Sequence, residues 1–381
     1  MEEAHSIELI QFEENAFEVV VQKNLYNIED KAVYIQPDYC LSDIELFKTF
    51  IESGKLGSNN RIKAIKFNFS TEINSSSKTY SNGILLPIYV VEDWIGTTLE
   101  INNLANTLGI TKYEEPEKNN GGVKSGLTKG SLPQGMYKTD ETNIKNIINQ
   151  ITYPIEFVGT LKIDGSSCSI YYKSEEEYGI CSRNQEKKLD QKQIVGYEKF
   201  KRHYNKDTKE KGWIDEDNLF YNQNNIDDLQ KEGLVVPIYD ELYDDFIELG
   251  KPILEKLINY CKENNKQLVL RGEIAGKSLK GSGNKHNPHS KLEKTFYLFG
   301  IDDYSSGVAI PLSYNEYVTI FTEMNLTVCP IIIHKIFSSF EEIKQECKEY
   351  FNEHLVEGIV LRTLDSKFSC KFMNDEYDEK K

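Results

Sequence analysis

The sequence predicts an α+β fold built on antiparallel sheets, with a small β-rich module in front of the main domain. Three observations lead there. Short apolar runs bounded by turn residues outnumber stretches with helical period, and they often follow one another directly. Helical period appears between groups of strands and not after each strand, which disfavours a doubly wound parallel sheet. A segment without hydrophobic period, Lys112–Thr142, is rich in Gly, Pro, Asn, Ser and Lys and separates two regions of different pattern.

Taken in order, residues 7–110 hold the runs IELIQF, AFEVVV, AVYI, IKAIKFNF and GILLPIYVV, spaced as in a barrel or sandwich. Thr139-Asp140-Glu141 ahead of Ile144, Ile147 and Ile148 predicts a capped amphipathic helix. Strands are predicted over Glu156–Ile163, Cys168–Tyr172 and Tyr178–Ser182. Lys251–Asn264 places Ile253, Leu254, Leu257, Ile258 and Cys261 at helical spacing. Leu268–Ala275 and Phe296–Ile301 read as buried strands, and Ser339–His354 as a helix opened by Ser339 and Glu342. Gly358–Thr363 and Lys367–Met373 read as a closing hairpin. The expected organisation is a β-rich module over 1–115, a linker over 116–138 and a main domain over 139–381.

Composition narrows the function classes. A chain of 381 residues exceeds what one core usually organises, and 39% hydrophobic with 28% charged residues excludes disorder, collagen and coiled coil. No stretch reaches the ~18 apolar residues of a membrane span. The acidic start MEEAHSIELIQFEE is unlike a secretory signal. The seven cysteines are scattered without a C-x-x-C pair, so an intracellular chain, cytoplasmic or nuclear, is expected. A net charge of −16 argues against a uniformly phosphate-binding surface, but the charge is unevenly spread. Residues 183–211 carry ten Lys+Arg and five acids, residues 271–294 six and two, and residues 213–249 one lysine and eleven acids.

The chemistry starts at Lys162-Ile163-Asp164-Gly165. On a strand, Lys162 and Asp164 project to one face, and Gly165 lets the backbone pass close to a ligand. Downstream come Ser182-Arg183-Asn184, Leu270-Arg271-Gly272-Glu273, Phe296-Tyr297-Leu298-Phe299-Gly300-Ile301-Asp302, Glu357-Gly358-Ile359-Val360-Leu361-Arg362 and Ser369-Cys370-Lys371. A lysine that attacks a phosphate must be a neutral amine, although its free pKa is ~10.4, so it needs burial and a neighbouring cation. A hard metal beside it needs oxygen ligands, which Glu273, Glu357 and Asp164 can supply. Lys371 and Arg183 suit the charge on a transferring phosphate, and Phe299 suits a stacked base.

Two other signals carry less. His286-Asn287-Pro288-His289 lacks partners for a tetrahedral metal set, and Gly281-Ser282-Gly283 lacks the rest of a dinucleotide fingerprint. Lys277–Lys294 reads as a basic loop beside Glu273, suited to a phosphate backbone. In Arg61–Phe69 basic and aromatic residues interleave as on single-strand-binding surfaces, a pattern that an ordinary half-buried strand also produces.

In order and spacing these motifs resemble the covalent nucleotidyltransferase superfamily of nucleic-acid ligases and capping enzymes, over residues about 139–377. Gly83-Ile84-Leu85-Leu86-Pro87, Leu108–Glu114 and Lys138-Thr139-Asp140-Glu141 extend the resemblance to ATP-dependent RNA ligases with an N-terminal OB-type domain. Only ten residues follow Lys371, whereas DNA ligases and capping enzymes continue into a C-terminal OB domain. The resemblance implies a nucleotidyltransferase core of antiparallel sheets with flanking helices behind a small OB-like β-barrel. It implies Lys162 as the nucleophile that becomes AMP-linked and Lys371 as the α-phosphate clamp. Asp164, Gly165, Arg183, Glu273 and Phe299 would line the nucleotide site, and Glu357, Glu273 and Asp164 would face the metal. The superfamily's second lysine near Lys371 has no counterpart at Ser369 or Met373, which leaves Lys367 without an assigned role. Thr160-Leu161 stand where the family often has a glutamate that reads adenine. The implied cofactors are ATP and Mg2+ or Mn2+. The implied partner is RNA with 3′-hydroxyl and 5′-phosphate ends, in a nicked duplex or an RNA–DNA hybrid, joined by a monomer with a role in repair. A GTP-using capping guanylyltransferase and a non-catalytic RNA-binding protein are the alternatives.

Overall fold

The computed structural model describes residues 6–12, 16–37, 39–71, 75–99, 103–113, 128–190, 192–206, 208–241, 244–279 and 285–380. Its centre is two sheets. The seven-stranded sheet runs Ile310–Pro311, Thr295–Asp303, Leu268–Ala275, Ser166–Tyr172, Tyr178–Ser182, Gln185–Lys187 and Thr128–Ser131, with every neighbouring pair antiparallel. The five-stranded sheet runs Thr142–Asn143, Ser369–Met373, Gly358–Thr363, Ile155–Lys162 and Ile331–Phe337, antiparallel except for the short first pair.

Strand alternation decides what each sheet buries. In the larger sheet Cys168, Ile170, Leu268, Leu270, Phe296 and Leu298 join Leu254 and Leu257 of the helix Asp245–Asn264 in one core. Residues of opposite parity, Ser169, Arg271, Glu273 and Tyr297, therefore turn to the other face. In the smaller sheet Phe157, Ile359, Leu361, Cys370 and Phe372 pack on Ile343 and Cys347 of the helix Phe340–Glu353. Thr160, Lys162, Val360, Arg362 and Lys371 take the opposite parity, in register across three strands. Each sheet thus spends one face on its own helix and presents its polar face toward the other sheet.

The mixed α+β architecture expected from sequence is present, and the strands of the motif region lie within one or two residues of expectation. The helix expected after Asp140 does not form. Thr142–Asn143 instead pairs with Ser369–Met373, and Ile144–Asn146 and Ile148–Gln150 are short 3-10 turns. Three β-branched isoleucines favour extended backbone, and Asp140 and Glu141 use their carboxylates elsewhere. Thr128–Ser131, inside the segment read as linker, is the edge strand of the larger sheet. The Gly281-Ser282-Gly283 stretch and most of the linker lie outside the described residues.

The N-terminal part is β-rich, as expected, with four two-stranded ladders; one of them, Ala32–Ile35 with Ile84–Pro87, lies in a core with Leu41, Phe47, Ile62 and Leu108. No closed ring of strands forms among the described residues. The Arg61 region is not an open basic surface. Arg61 bonds Asp378 at 2.8 Å, and the Lys63 ammonium donates to the Glu379 carbonyl, so both cations hold the acidic helix Asp375–Lys380.

Between Gln185–Lys187 and the helix Asp245–Asn264 stands a folded insertion that periodicity did not reveal. Lys192–Tyr197 pairs with Pro237–Glu241, and a three-stranded sheet is covered by the helix Gln223–Lys231. It has its own core of Tyr197, Trp213, Ile226 and Val235.

Candidate active site

Lys162 is the last residue of its strand, and its side chain is 24% exposed. Its ammonium donates to Oε2 of Glu357 at 2.6 Å, and Glu357 is itself buried, immediately before the strand Gly358–Thr363. Lys162 pairs with Gly358 in register, which is why the carboxylate of the preceding residue reaches it. The side chain therefore points into the cleft and not into open solvent.

Because the strand stops at Lys162, alternation does not carry on to Asp164. Asp164 is 5% exposed and accepts a hydrogen bond from the Tyr377 hydroxyl at 2.7 Å. Its carbonyl accepts from the Asn287 side chain at 2.8 Å, so the basic loop read beside Glu273 folds directly onto this turn. Gly165 passes against the Glu273 strand. A Cβ there would stand 2.3 Å from the Ile274 carbonyl oxygen and 3.0 Å from Cγ of Glu273. Only glycine allows that approach. Glu273 pairs across the sheet with Ser167 on one side and Tyr297 on the other.

Asp140 gathers the cations. It bonds Lys112 at 2.7 Å, Arg183 at 3.3 Å and Lys371 at 3.4 Å. Burial acts to raise its carboxyl, but the Lys112 bond and the charges of Lys371, Lys112 and Arg183 outweigh it and hold the pKa down at about 2. A depressed folded pKa gives stability that is present above the unfolded value of ~3.9 and is lost as pH falls toward the folded one. Asp140→Asn should therefore be less stable than the wild-type chain near neutral pH. The gap should close as pH falls from about 4 toward 2, read by circular dichroism along an acid titration. An unchanged gap across that range contradicts the role given to Asp140.

Phe299 lies on the cleft side of the larger sheet, with the Arg362 guanidinium 4.9 Å from its ring centre. Arg362 also donates to Thr160 at 3.2 Å and to Glu141 at 2.6 Å within its own sheet, so its contact with Phe299 is the one that reaches the larger sheet. Thr160, Phe299, Leu298, Tyr317 and Cys329 are among the walls of a cavity of about 230 Å³. Thr160 is two residues from Lys162 on the same strand face. The cavity has the mostly apolar lining and the few polar groups of a small-molecule site.

Among the described residues, no three His, Cys, Asp or Glu side chains converge to hold an ion. Asp164, Glu273 and Glu357 thus form no closed cage, since Glu357 faces Lys162 and Asp164 faces Tyr377. This set still fits a magnesium-type cation, which uses one or two carboxylates and takes its other ligands from water and phosphate. The structure brings Lys162 to Glu357, Gly165 to Glu273, and Arg183 and Lys371 to Asp140. Sequence reasoning gave no place in the site to Asp140, Tyr377, Asn287 or Arg362. Asp140 and Arg362 stood inside quoted motif strings, whereas nothing in the acidic tail marks Tyr377.

Comparison with known proteins places this geometry. The RNA ligase family profile matches residues 155–374. No curated protein sequence matches the chain. Among solved structures, a Naegleria gruberi RNA ligase mutant with ATP and manganese is similar at 22% identity and a TM-score of 0.66. That match covers 100% of this chain and 95% of that one. A second mutant of that ligase, with AMP and manganese, gives 22% identity and 0.67 over the same shares. The same ligase with pyrophosphate gives 21% and 0.66, covering 100% of this chain and 94% of that one. At these identities the likeness is one of fold. The family profile covers more than half of the chain, from the strand that carries Lys162 to the strand that carries Lys371, and the chain belongs to the RNA ligase family.

Proposed function

We propose that the chain is an ATP-dependent RNA ligase that joins a 3′-hydroxyl to a 5′-phosphate through a lysyl-AMP intermediate, sealing breaks in RNA. The observation that carries this reading is the Lys162 amine, largely buried and 2.6 Å from the Glu357 carboxylate, in a cleft whose rim holds Lys371 and Arg183. The Naegleria gruberi ligase of the same fold has been solved with ATP, AMP, manganese and pyrophosphate.

In the first step the Lys162 Nζ attacks the α-phosphorus of ATP. The amine loses a proton to solvent as the P–N bond forms, the P–O bond to the leaving group breaks, and pyrophosphate departs. A divalent cation bound by Glu357 and Glu273 would supply positive charge that offsets the triphosphate and disfavours the ammonium form of Lys162. Lys371, drawn from Asp140, stabilises the charge on the α-phosphate. The cavity walled by Thr160 and Phe299 seats the adenine. In the second step an oxygen of the RNA 5′-phosphate attacks the same phosphorus, the P–N bond breaks and Lys162 regains its proton. In the third step the 3′-hydroxyl attacks the activated 5′-phosphate, its proton passes to solvent and AMP leaves.

A panel of splinted and unsplinted nicks with RNA or DNA on each side, run with ATP or GTP, tests this reading. Joining of RNA 3′-hydroxyl ends with ATP and not GTP is expected. Labelling by GTP alone would point to a capping-type transferase. Labelling by neither would leave an RNA-binding protein without turnover.

A further inference from the structure

The insertion between Gln185–Lys187 and Asp245–Asn264 ends in an antiparallel hairpin, Lys201–Asn205 paired with Glu210–Ile214. Resting on the RNA ligase reading above, we infer that this hairpin is a second contact surface for the ligase's RNA, taking the single-stranded backbone beside the end being joined.

Four features of the hairpin support this. Lys201, Arg202, Lys206, Lys209 and Lys211 are all exposed. None has an ion-pair partner among the described residues, although Lys162, Lys187, Arg271, Lys294, Arg362 and Lys371 all do. Five Lys and Arg against two acids, Asp207 and Glu210, within residues 201–214 of a chain with net charge −16 form a local field that favours polyanions.

An aromatic residue stands among them. Tyr204 is 49% exposed and sits directly across from Lys211, while Arg202, on the same strand face, lies 5.4 Å over the Trp213 ring. A ring flanked by cations is the arrangement on which bases stack while phosphates are neutralised.

The part of the insertion after the hairpin repels such a ligand. Residues 215–244 carry nine acids against one lysine, which disfavours a strand of RNA there.

The insertion also springs from the seven-stranded sheet, which carries Glu273. Its base is closed by Lys187 and Asp244 at 3.2 Å, four residues after Arg183, which bonds Asp140 in the cleft. The inferred path takes RNA from the Lys162 site past Arg183 to this element. The hairpin lies apart from the reacting groups, so its loss is expected to weaken RNA binding and leave AMP transfer to Lys162 intact.

The test compares the full chain with a variant carrying Lys206→Gln, Lys209→Gln and Lys211→Gln. Affinity for a 5′-phosphorylated single-stranded RNA is read by fluorescence anisotropy across a salt series, with AMP labelling read in parallel. The variant should bind about tenfold more weakly at moderate salt. Its slope of log affinity on log salt should fall by about 2, since each single-strand phosphate contact contributes about 0.7. Tyr204→Ala should weaken binding at least about fivefold with the slope unchanged, because stacking releases no counterions. AMP labelling should be unchanged in both.

Equal RNA affinity and slope in the triple variant, with wild-type joining present, overturns the inference and leaves the ligase reading standing. Equal binding of a polyglutamate peptide to the hairpin would overturn it in favour of an acidic protein partner. A wild-type chain that neither binds nor joins RNA removes the ligase reading itself.

Discussion

Lys162→Met is expected to abolish AMP transfer to the protein and to lower ATP-driven RNA joining by at least about 10⁴-fold, with the fold intact. Methionine keeps most of the length of the side chain but offers no amine, so no P–N bond can form. Glu357 then loses its partner at 2.6 Å. Because the last step needs only an activated 5′-phosphate and a 3′-hydroxyl, the variant should still seal RNA supplied with an AMP-capped 5′ end. Joining of both substrates to the wild-type level would remove Lys162 from the reaction. Loss of both, with a normal thermal transition, would place Lys162 in RNA end alignment instead.

Asp302→Ala should carry the largest cost in stability. Arg271 and Asp302 are both 4% exposed at the side chain and meet at 2.7 Å, with Arg271 also donating to the Tyr137 carbonyl and the Ser169 hydroxyl. Burial pushes the Asp302 carboxyl up even with the Arg271 charge beside it, which shows how thoroughly the pair is removed from water. Removing one partner leaves an uncompensated buried guanidinium and should destabilise the domain by about 3–5 kcal/mol. Denaturant unfolding measures this directly. Replacing both residues, with Arg271→Met and Asp302→Leu, should recover most of the loss. A single variant within about 0.5 kcal/mol of wild type would contradict the account. Both residues lie in strings that resemble catalytic motifs, Leu270–Glu273 and Phe296–Asp302, yet this pair acts in holding the two strands in register.

What the sequence made legible follows from locality. The strand Leu268–Ala275 was readable because its alternate side is wholly apolar, and the helix around Leu254 and Leu257 because its period is 3.6. Lys162, Asp164, Gly165, Glu273, Glu357 and Lys371 stood out because motif spacing is a property of the chain itself. The stretch after Asp140 misled because a capping pattern was weighed without its tertiary partners, and the strand Ser369–Met373 claims Thr142–Asn143. The Arg61 region misled similarly. Interleaved basic and aromatic residues look alike whether they meet RNA or an acidic helix 317 residues away, as Asp378 is here. Tyr377 on Asp164 was invisible because a contact between residues 213 apart leaves no local signal. The insertion was missed because its hairpin strands Lys201–Asn205 and Glu210–Ile214 are short, polar and mostly exposed, with only charge to mark them.

The central claim is that the Lys162 amine holds AMP. The most direct measurement is peptide mapping by mass spectrometry after brief incubation of the wild-type chain with ATP and a divalent cation, quenched in base because a phosphoramidate is acid-labile. The account predicts an AMP-sized increment on the peptide containing Lys162, lost on acid treatment or on adding pyrophosphate. An acid-stable adduct, or one carried by Lys371 or another residue while Lys162 stays unmodified, would contradict it.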